Sequence, residues 1–267
     1  MNKLETALRD ISEMDRLAVK SSPVHGLSPL AKLLVTVAYI AVTVSFSKYQ
    51  LSRLFIMIIY PLLMFSVSGI KISTCLYKLR IVLPLVAFVG LFNPIFDRAP
   101  MLRIGGVAVS SGVISMITLM LKGAFCLMAS FLLIATTPMD SICAALRKLH
   151  VPSMLVTLLL LTYRYIGVLT QEAAVMSDAY ALRAPGQKGI HFSAWGSFTG
   201  QLLLRSMDRA EELYTSMQIR GYRGEFPYAK SSPFCGRDAL FAAVCIGIFV
   251  LLRFVDVASL VGSLFVR

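Results

Sequence analysis

Three histidines, His25, His150 and His191, stand alone in this sequence, and no H-E-x-x-H run brings two imidazoles onto one helix face around a metal. The five cysteines, Cys75, Cys126, Cys143, Cys235 and Cys245, show no C-x-x-C spacing, and three of them lie in or beside apolar runs. They read as small core hydrophobes, not as disulfides or metal ligands. There is no G-x-S-x-G turn for acyl transfer, no Gly-rich loop to cradle phosphates, and no pair of carboxylates within an apolar segment. Neither a catalytic constellation nor a cofactor site is expected. What remains are charges in unusual places: Lys122 inside a long apolar run, Arg253 and Asp256 three apart in another, Arg164 between two tyrosines, and Arg183 and Arg220 where helical patterns stop.

Each has a chemistry. A guanidinium grips a carboxylate with two hydrogen bonds, stays charged, and is less costly to desolvate than an ammonium. Gly221, directly after Arg220, accepts a left-handed turn that lets a partner's backbone approach. Basic residues at a helix C-terminus commonly complement the helix dipole, and from spacing alone that is the favoured reading for both arginines. Arg253 and Asp256 can neutralise one another on one helix face. Arg164 reads as a packing and hydrogen-bonding element beneath the membrane face, and Lys122 is open to snorkelling, a polar helix neighbour or a partner protein.

The elements that position these residues belong to a membrane. Of 267 residues, 57% are hydrophobic and 15% charged, with a mean hydropathy of +0.75. Soluble domains run roughly 45–50% apolar and about 25% charged, and a globule of this size has no interior to hide the excess. The net charge of +12 fits cytoplasmic loops that collect Lys and Arg, so the bilayer is the expected partner and nucleic acid is not.

Five segments suit spanning helices: Leu30–Phe46, Leu51–Gly69, Leu79–Ile95, Ser111–Thr136 and Ala239–Leu260. Pro61 and Pro84 fall inside two of them, and the carbonyls they free need help from neighbouring helices. Ahead of the spans, Leu4, Leu8, Ile11, Met14 and Ala18 share one helical face, interrupted by Asp15, which predicts an interfacial helix and not a signal peptide. With the N-terminus inside, 19 of the 26 basic residues fall in 1–32, 71–80 and 137–238. A sixth apolar run, Pro152–Leu169, is not taken as a crossing, because it would move eight basic residues outside. The expected organisation is an all-α integral membrane protein: an interfacial segment 1–29, four transmembrane helices in 30–136, cytoplasmic coupling helices in 137–235 and a final transmembrane helix in 236–267.

The cytoplasmic stretch reads as three helices. The first follows Thr136-Thr137-Pro138, with Ile142, Ala145, Leu146 and Leu149 on one face, and pauses at His150-Val151-Pro152. The second turns polar at Gln171 and stops near Pro185-Gly186. The third, over Ser197–Ile219, carries Leu203, Met207, Ala210, Leu213, Tyr214 and Met217 on one stripe and pairs Arg205 and Arg209 with Asp208 and Glu212 at i,i+3. Gly221 ends it.

Asp15-Arg16-Leu17-Ala18, Ser28-Pro29-Leu30-Ala31-Lys32-Leu33-Leu34, Thr136-Thr137-Pro138, Leu149-His150-Val151-Pro152, Tyr163-Arg164-Tyr165 and Leu204-Arg205-Ser206-Met207-Asp208-Arg209-Ala210-Glu211 occur in this order. Together they resemble the transmembrane T component of energy-coupling factor (ECF) transporters, most of all the cobalt-type (CbiQ) branch, from Asp15 to Gly221. The resemblance implies a non-catalytic scaffold in the bacterial or archaeal cytoplasmic membrane, joining a membrane substrate-binding S component to two ABC-type ATPase subunits. It implies that two Ala-Arg-Gly-like helix ends dock into ATPase grooves: Ile219-Arg220-Gly221 matches the second, and Leu182-Arg183-Ala184-Pro185-Gly186 keeps the Arg of the first with the Gly displaced. It further implies that ATP binding draws the ATPases together and the docked helix ends follow. Cobalt is the first implied substrate, with nickel or a vitamin next. The rival reading is a membrane-embedded enzyme such as a lipid-modifying transferase.

Overall fold

The computed structural model describes residues 13–254 apart from 21, 49, 97–99, 105–106, 188 and 225–234. Leu4, Leu8 and Ile11 of the interfacial face, Asp256 and the end of the last span lie outside the described residues. Apart from one two-stranded hairpin, the regular structure described is helical: α1 Pro29–Ser45, α2 Leu51–Ile56, α3 Ile59–Ser68, α4 Ile72–Gly90, α5 Phe92–Phe96, α6 Ser111–Thr136, α7 Met139–Lys148, α8 Ser153–Arg183, α9 Trp195–Ile219 and α10 Gly236–Phe254. The hairpin pairs β1 (Pro100–Ile104) with β2 (Val107–Ser110) antiparallel. Helices α4, α6 and α8 are long and apolar enough to cross a membrane by length and composition. The chain folds as two compact units, one of Met1–Arg16 with Met139–Ser231, the other of Leu17–Pro138 with Ser232–Arg267.

In the second unit α6 is the central helix and packs against α1 to α5, while α10 packs on α1 and α2. At 26 residues, α6 is about 39 Å long, enough to cross a hydrocarbon layer of about 30 Å. Small residues let α4 close on it: a Cβ at Gly123 would stand 3.3 Å from Val86 Cγ1, and one at Gly90 would stand 3.0 Å from Met116 Cγ. Ala31, Val35, Tyr39, Leu54, Met57, Phe125, Ala129 and Phe249 form the buried core, in which the Tyr39, Tyr60 and Phe249 rings meet at centroid distances of 4.8–5.2 Å.

The expected span Leu51–Gly69 is not continuous; it breaks at Met57-Ile58 into α2 and α3. Pro61 sits in the first turn of α3, where its missing N–H costs nothing, and its ring frees the carbonyl of Met57. The Tyr39 hydroxyl donates to that carbonyl at 2.9 Å. The neighbouring helix therefore satisfies the group that the proline strands.

The two cations within the expected spans, Lys122 and Arg253, close a helix end. Lys122 Nζ donates to Val44 O at 3.0 Å and also to Phe46 O. Arg253 donates to Ser45 O at 3.0 Å and to the Ser45 hydroxyl at 3.3 Å, with its guanidinium 5.1 Å from the Phe46 ring centroid. Both cations thus serve the C-terminal carbonyls of α1, which have no partner within their own helix and carry the negative end of its dipole. Asp256 lies outside the described residues, so the expected Arg253–Asp256 pairing does too; the contacts described for Arg253 include these with the end of α1. At the opposite end of the pair, Lys32 in the first turn of α1 donates to Thr136 O at 2.9 Å, closing α6 in return.

Before α1, residues 22–28 fold around His25. Its Nε2–H donates to Leu17 O at 3.1 Å, and Nδ1 accepts from the Ser22 hydroxyl at 2.6 Å, an arrangement that suits the neutral ring. Burial lowers the pKa of His25.

Candidate functional site

The first unit carries both candidate arginines. Helix α7 ends in a Schellman turn, Val151 N to Leu146 O and His150 N to Arg147 O, with His150 in the left-handed region at φ 63°. Pro152 then caps α8, whose first half is apolar and whose second half is polar. Asp15, the residue that interrupts the N-terminal apolar stripe, accepts from the Tyr163 hydroxyl at 2.6 Å. Its carboxylate thus has a partner on α8, although the residue itself is exposed.

Helices α8 and α9 run antiparallel past one another. Glu172 of α8 takes Arg205 of α9 across the crossing, so Arg205 pairs between helices and not with Asp208 in its own helix. The inter-helix carboxylate presents itself where the side chains converge, and the pair, 48% and 37% exposed, contributes at most about 1 kcal/mol. Beyond the crossing, Leu161, Arg164 and Tyr165 of α8 and Arg209, Glu212 and Arg220 of α9 line one crevice. Arg164 therefore faces a shared polar crevice beside the tip of α9.

That polarity separates the two arginines. Arg220 lies beside residues 161–165 of α8, and Arg183 is the last residue of that helix. About 18 residues at 1.5 Å each put roughly 27 Å of helix between them. The arrangement does not bring Arg183 and Arg220 together into one site; it presents two.

The two helix ends differ in detail. At α9, Gly221 N donates to Gln218 O and Tyr222 N to Met217 O, both at 2.9 Å, with Gly221 at φ 83°. This is a full Schellman turn that leaves Arg220 exposed at the cap position. At α8 the left-handed residue is Gly186, φ 94°, three positions past Arg183, and Gln187 N closes a turn on Ala184 O at 3.3 Å. The Tyr180 hydroxyl donates to Gln187 Oε1 at 3.0 Å and accepts from His191 N at 3.5 Å, folding the connection back on the helix.

Leu182 and Ile219, each immediately before its arginine, are 84% and 82% exposed. Each helix end therefore presents a bare aliphatic side chain beside a guanidinium, a combination with apolar area and a directional charge. The signal in the sequence is an aliphatic residue in the last turn lying off the apolar stripe. Among the described residues, no three His, Cys, Asp or Glu side chains gather where a metal ion could sit.

Residues 20–229 match the family model for the cobalt transport protein CbiQ. The chain belongs to the CbiQ family. It is accordingly a multi-pass helical membrane protein, and both arginine-bearing helix ends fall inside the matched region. The nickel permease LarQ of Lactiplantibacillus plantarum is 29% identical over 119 residues, 45% of this chain and 44% of LarQ. The cobalt transport protein CbiQ of Rhodobacter capsulatus is 34% identical over 104 residues, 38% of this chain and 42% of its own length. The chain thus spans less than half the length of these two relatives. The energy-coupling factor transporter transmembrane protein EcfT 1 of Listeria monocytogenes is 25% identical over 231 residues, 79% of this chain and 84% of that protein. All three names describe transport components.

Proposed function

We propose that this CbiQ-family chain is the energy-coupling scaffold of an ATP-driven ECF-type importer. Two ABC-type ATPase subunits dock at the Leu182-Arg183 and Ile219-Arg220-Gly221 helix ends, and a substrate-binding S component sits beside the membrane helices. The chain itself is non-catalytic. Cobalt is the first substrate, and the nickel permease relative keeps nickel as the second.

The observation that carries this reading is the pair of exposed aliphatic–arginine helix ends at opposite ends of two crossed helices. One ATPase at each end moves the ends relative to one another, and the crossed helices convert that into a changed fit against the S component. The coupling is differential, because a contact equally good in both states shifts no equilibrium.

In this reading residues 137–238 are cytoplasmic and the chain crosses the cytoplasmic membrane of a bacterium or archaeon five times. Helix α8 has the length and hydropathy of a span, but a crossing there places Arg183, Arg205, Arg209, Arg220 and four further basic residues outside, against the positive-inside rule. Its apolar first half lies in the membrane interface instead.

The test is affinity purification from native membrane of the wild-type chain and the Arg183→Ala, Arg220→Ala double variant. ATPase subunits are expected with the first and lost from the second at equal membrane expression. Full ATPase recovery with the double variant removes the docking role from both arginines.

A further inference from the structure

Lys32 is 5% exposed, and no carboxylate bonds to its ammonium among the described residues. Its hydrogen bonds go to two carbonyls, Thr136 O at 2.9 Å and His25 O at 3.3 Å, while Asp238, itself 5% exposed, attracts it through charge without contact. Asp238 is occupied locally, its Oδ2 accepting from Cys235 N at 3.3 Å.

The two carbonyls that hold Lys32 and the Asp238 carboxylate that attracts it all lie near passages between the two units in the chain. The chain passes from one compact unit to the other after residues 16, 138 and 231, and His25, Thr136 and Asp238 each lie within about ten residues of one of those passages.

Two hydroxyls close in the chain to Lys32 and to its acceptor Thr136 are buried with no partner among the described residues. Ser28 Oγ and Thr137 Oγ1 both lack a hydrogen bond, at 0% and 2% exposure. Ser28 lies one helical turn before Lys32 on the same side, and it makes no side-chain cap for α1 although it holds the N-cap position. Thr137 is the residue after the present acceptor, Thr136. An unpaired buried hydroxyl is costly and rare in a finished fold, and lysine carries its ammonium on a flexible four-carbon stem.

Resting on the energy-coupling reading above, we propose that Lys32 is a positioning residue with two settings. In one its ammonium holds the Thr136 and His25 carbonyls; in the other, reached when movement of the docked helix ends draws on the Pro138 connection, it holds the Ser28 and Thr137 hydroxyls. Each setting satisfies a different pair of acceptors, so the start of α1 and the end of α6 have two discrete arrangements, which is what transmission between distant sites requires.

The experiment is hydrogen–deuterium exchange on the intact complex with its ATPases, with and without a non-hydrolysable ATP analogue. In the wild type, nucleotide is expected to change exchange of amides in 25–36 and 132–141 by about threefold or more. The Ser28→Ala, Thr137→Val variant is expected to keep its ATPases and its melting temperature, because it loses only unbonded hydroxyls, and to lose the nucleotide response. Lys32→Met is expected to lose that response as well; should it fail to fold, the hydroxyl variant decides alone. A wild-type exchange pattern indifferent to nucleotide, or an undiminished response in the hydroxyl variant, overturns the two-setting assignment while leaving the scaffold reading standing. Absence of ATPases from the wild-type complex, scored before nucleotide is added, overturns the scaffold reading and this assignment with it.

Discussion

The Tyr39 hydroxyl donates at 2.9 Å to Met57 O, the carbonyl that Pro61 leaves without its helical donor four residues on. The break between α2 and α3 is thus closed from α1 by one buried phenol. Tyr39→Phe keeps the ring contacts with Tyr60 and Phe249 and removes only this bond, leaving a buried carbonyl unpaired. The expected loss is about 1–3 kcal/mol, read as a lowered midpoint of thermal unfolding in detergent. Pro61→Ala should reduce that loss, since it restores an N–H in reach of Met57 O.

Lys122→Met should destabilise the bundle, because the Val44 and Phe46 carbonyls lose their donor at the end of α1. A cost of about 1–3 kcal/mol is expected, with Lys122→Arg retaining most of the stability. Arg253 serves the neighbouring Ser45 carbonyl, so the Lys122→Met, Arg253→Met double variant should depart from the sum of the single effects. A double-mutant cycle on unfolding midpoints checks this; strict additivity argues against a shared helix end.

A pH dependence follows from His25. Its pKa is lowered by burial, so the unfolded chain binds the proton more readily than the folded one, and stability rises with pH through this titration. The contribution is present above the ordinary histidine value of about 6.5 and is lost as pH falls below it. Melting temperature should therefore decline below that pH, and His25→Gln should flatten the decline. An equally steep decline in His25→Gln removes His25 as its source.

Arg220→Ala should weaken ATPase capture by on the order of 2–5 kcal/mol if it leaves a buried carboxylate unpaired, and Arg220→Lys should recover only part of it, because an ammonium cannot copy the two-pronged fork. Gly221→Ala probes the turn beneath it. No atom stands within 4 Å of the added Cβ, so the cost is the left-handed backbone alone, about 1–2 kcal/mol. Pull-down titration of the ATPases against each variant gives the order expected: wild type, then Arg220→Lys, then Arg220→Ala.

His150→Gly should stabilise the turn between α7 and α8. His150 holds φ 63° without a glycine's freedom, and relief of about 1 kcal/mol is expected, visible as a raised unfolding midpoint.

Much of this architecture is legible in the sequence because it is written in local pattern. Ser111–Thr136 is a helix at both expected limits, Gly221 stops α9 as its position predicts, and Pro61 announces an unsatisfied carbonyl. What the pattern does not contain is the identity of the partner. Lys122 and Arg253 are conspicuous as costly charges, but their acceptors are backbone carbonyls, which every residue possesses and no residue type marks. Asp15 looks like a flaw in an apolar stripe until Tyr163, 148 positions away, supplies its hydrogen bond. Leu182 and Ile219 are ordinary aliphatics by type; their place off the apolar stripe in a last turn is a faint signal, and their exposure makes it plain.

The bond between Lys32 and Thr136 O spans 104 positions of chain, which sets an order on biosynthesis. At a translation rate of about 5–20 residues per second, α1 waits roughly 5–20 s before the Thr136 carbonyl that receives its lysine has been made. During that interval Lys32 has only the His25 carbonyl, seven positions earlier, of its two final acceptors. The last contact at the start of α1 is therefore a late event, timed by the arrival of α6.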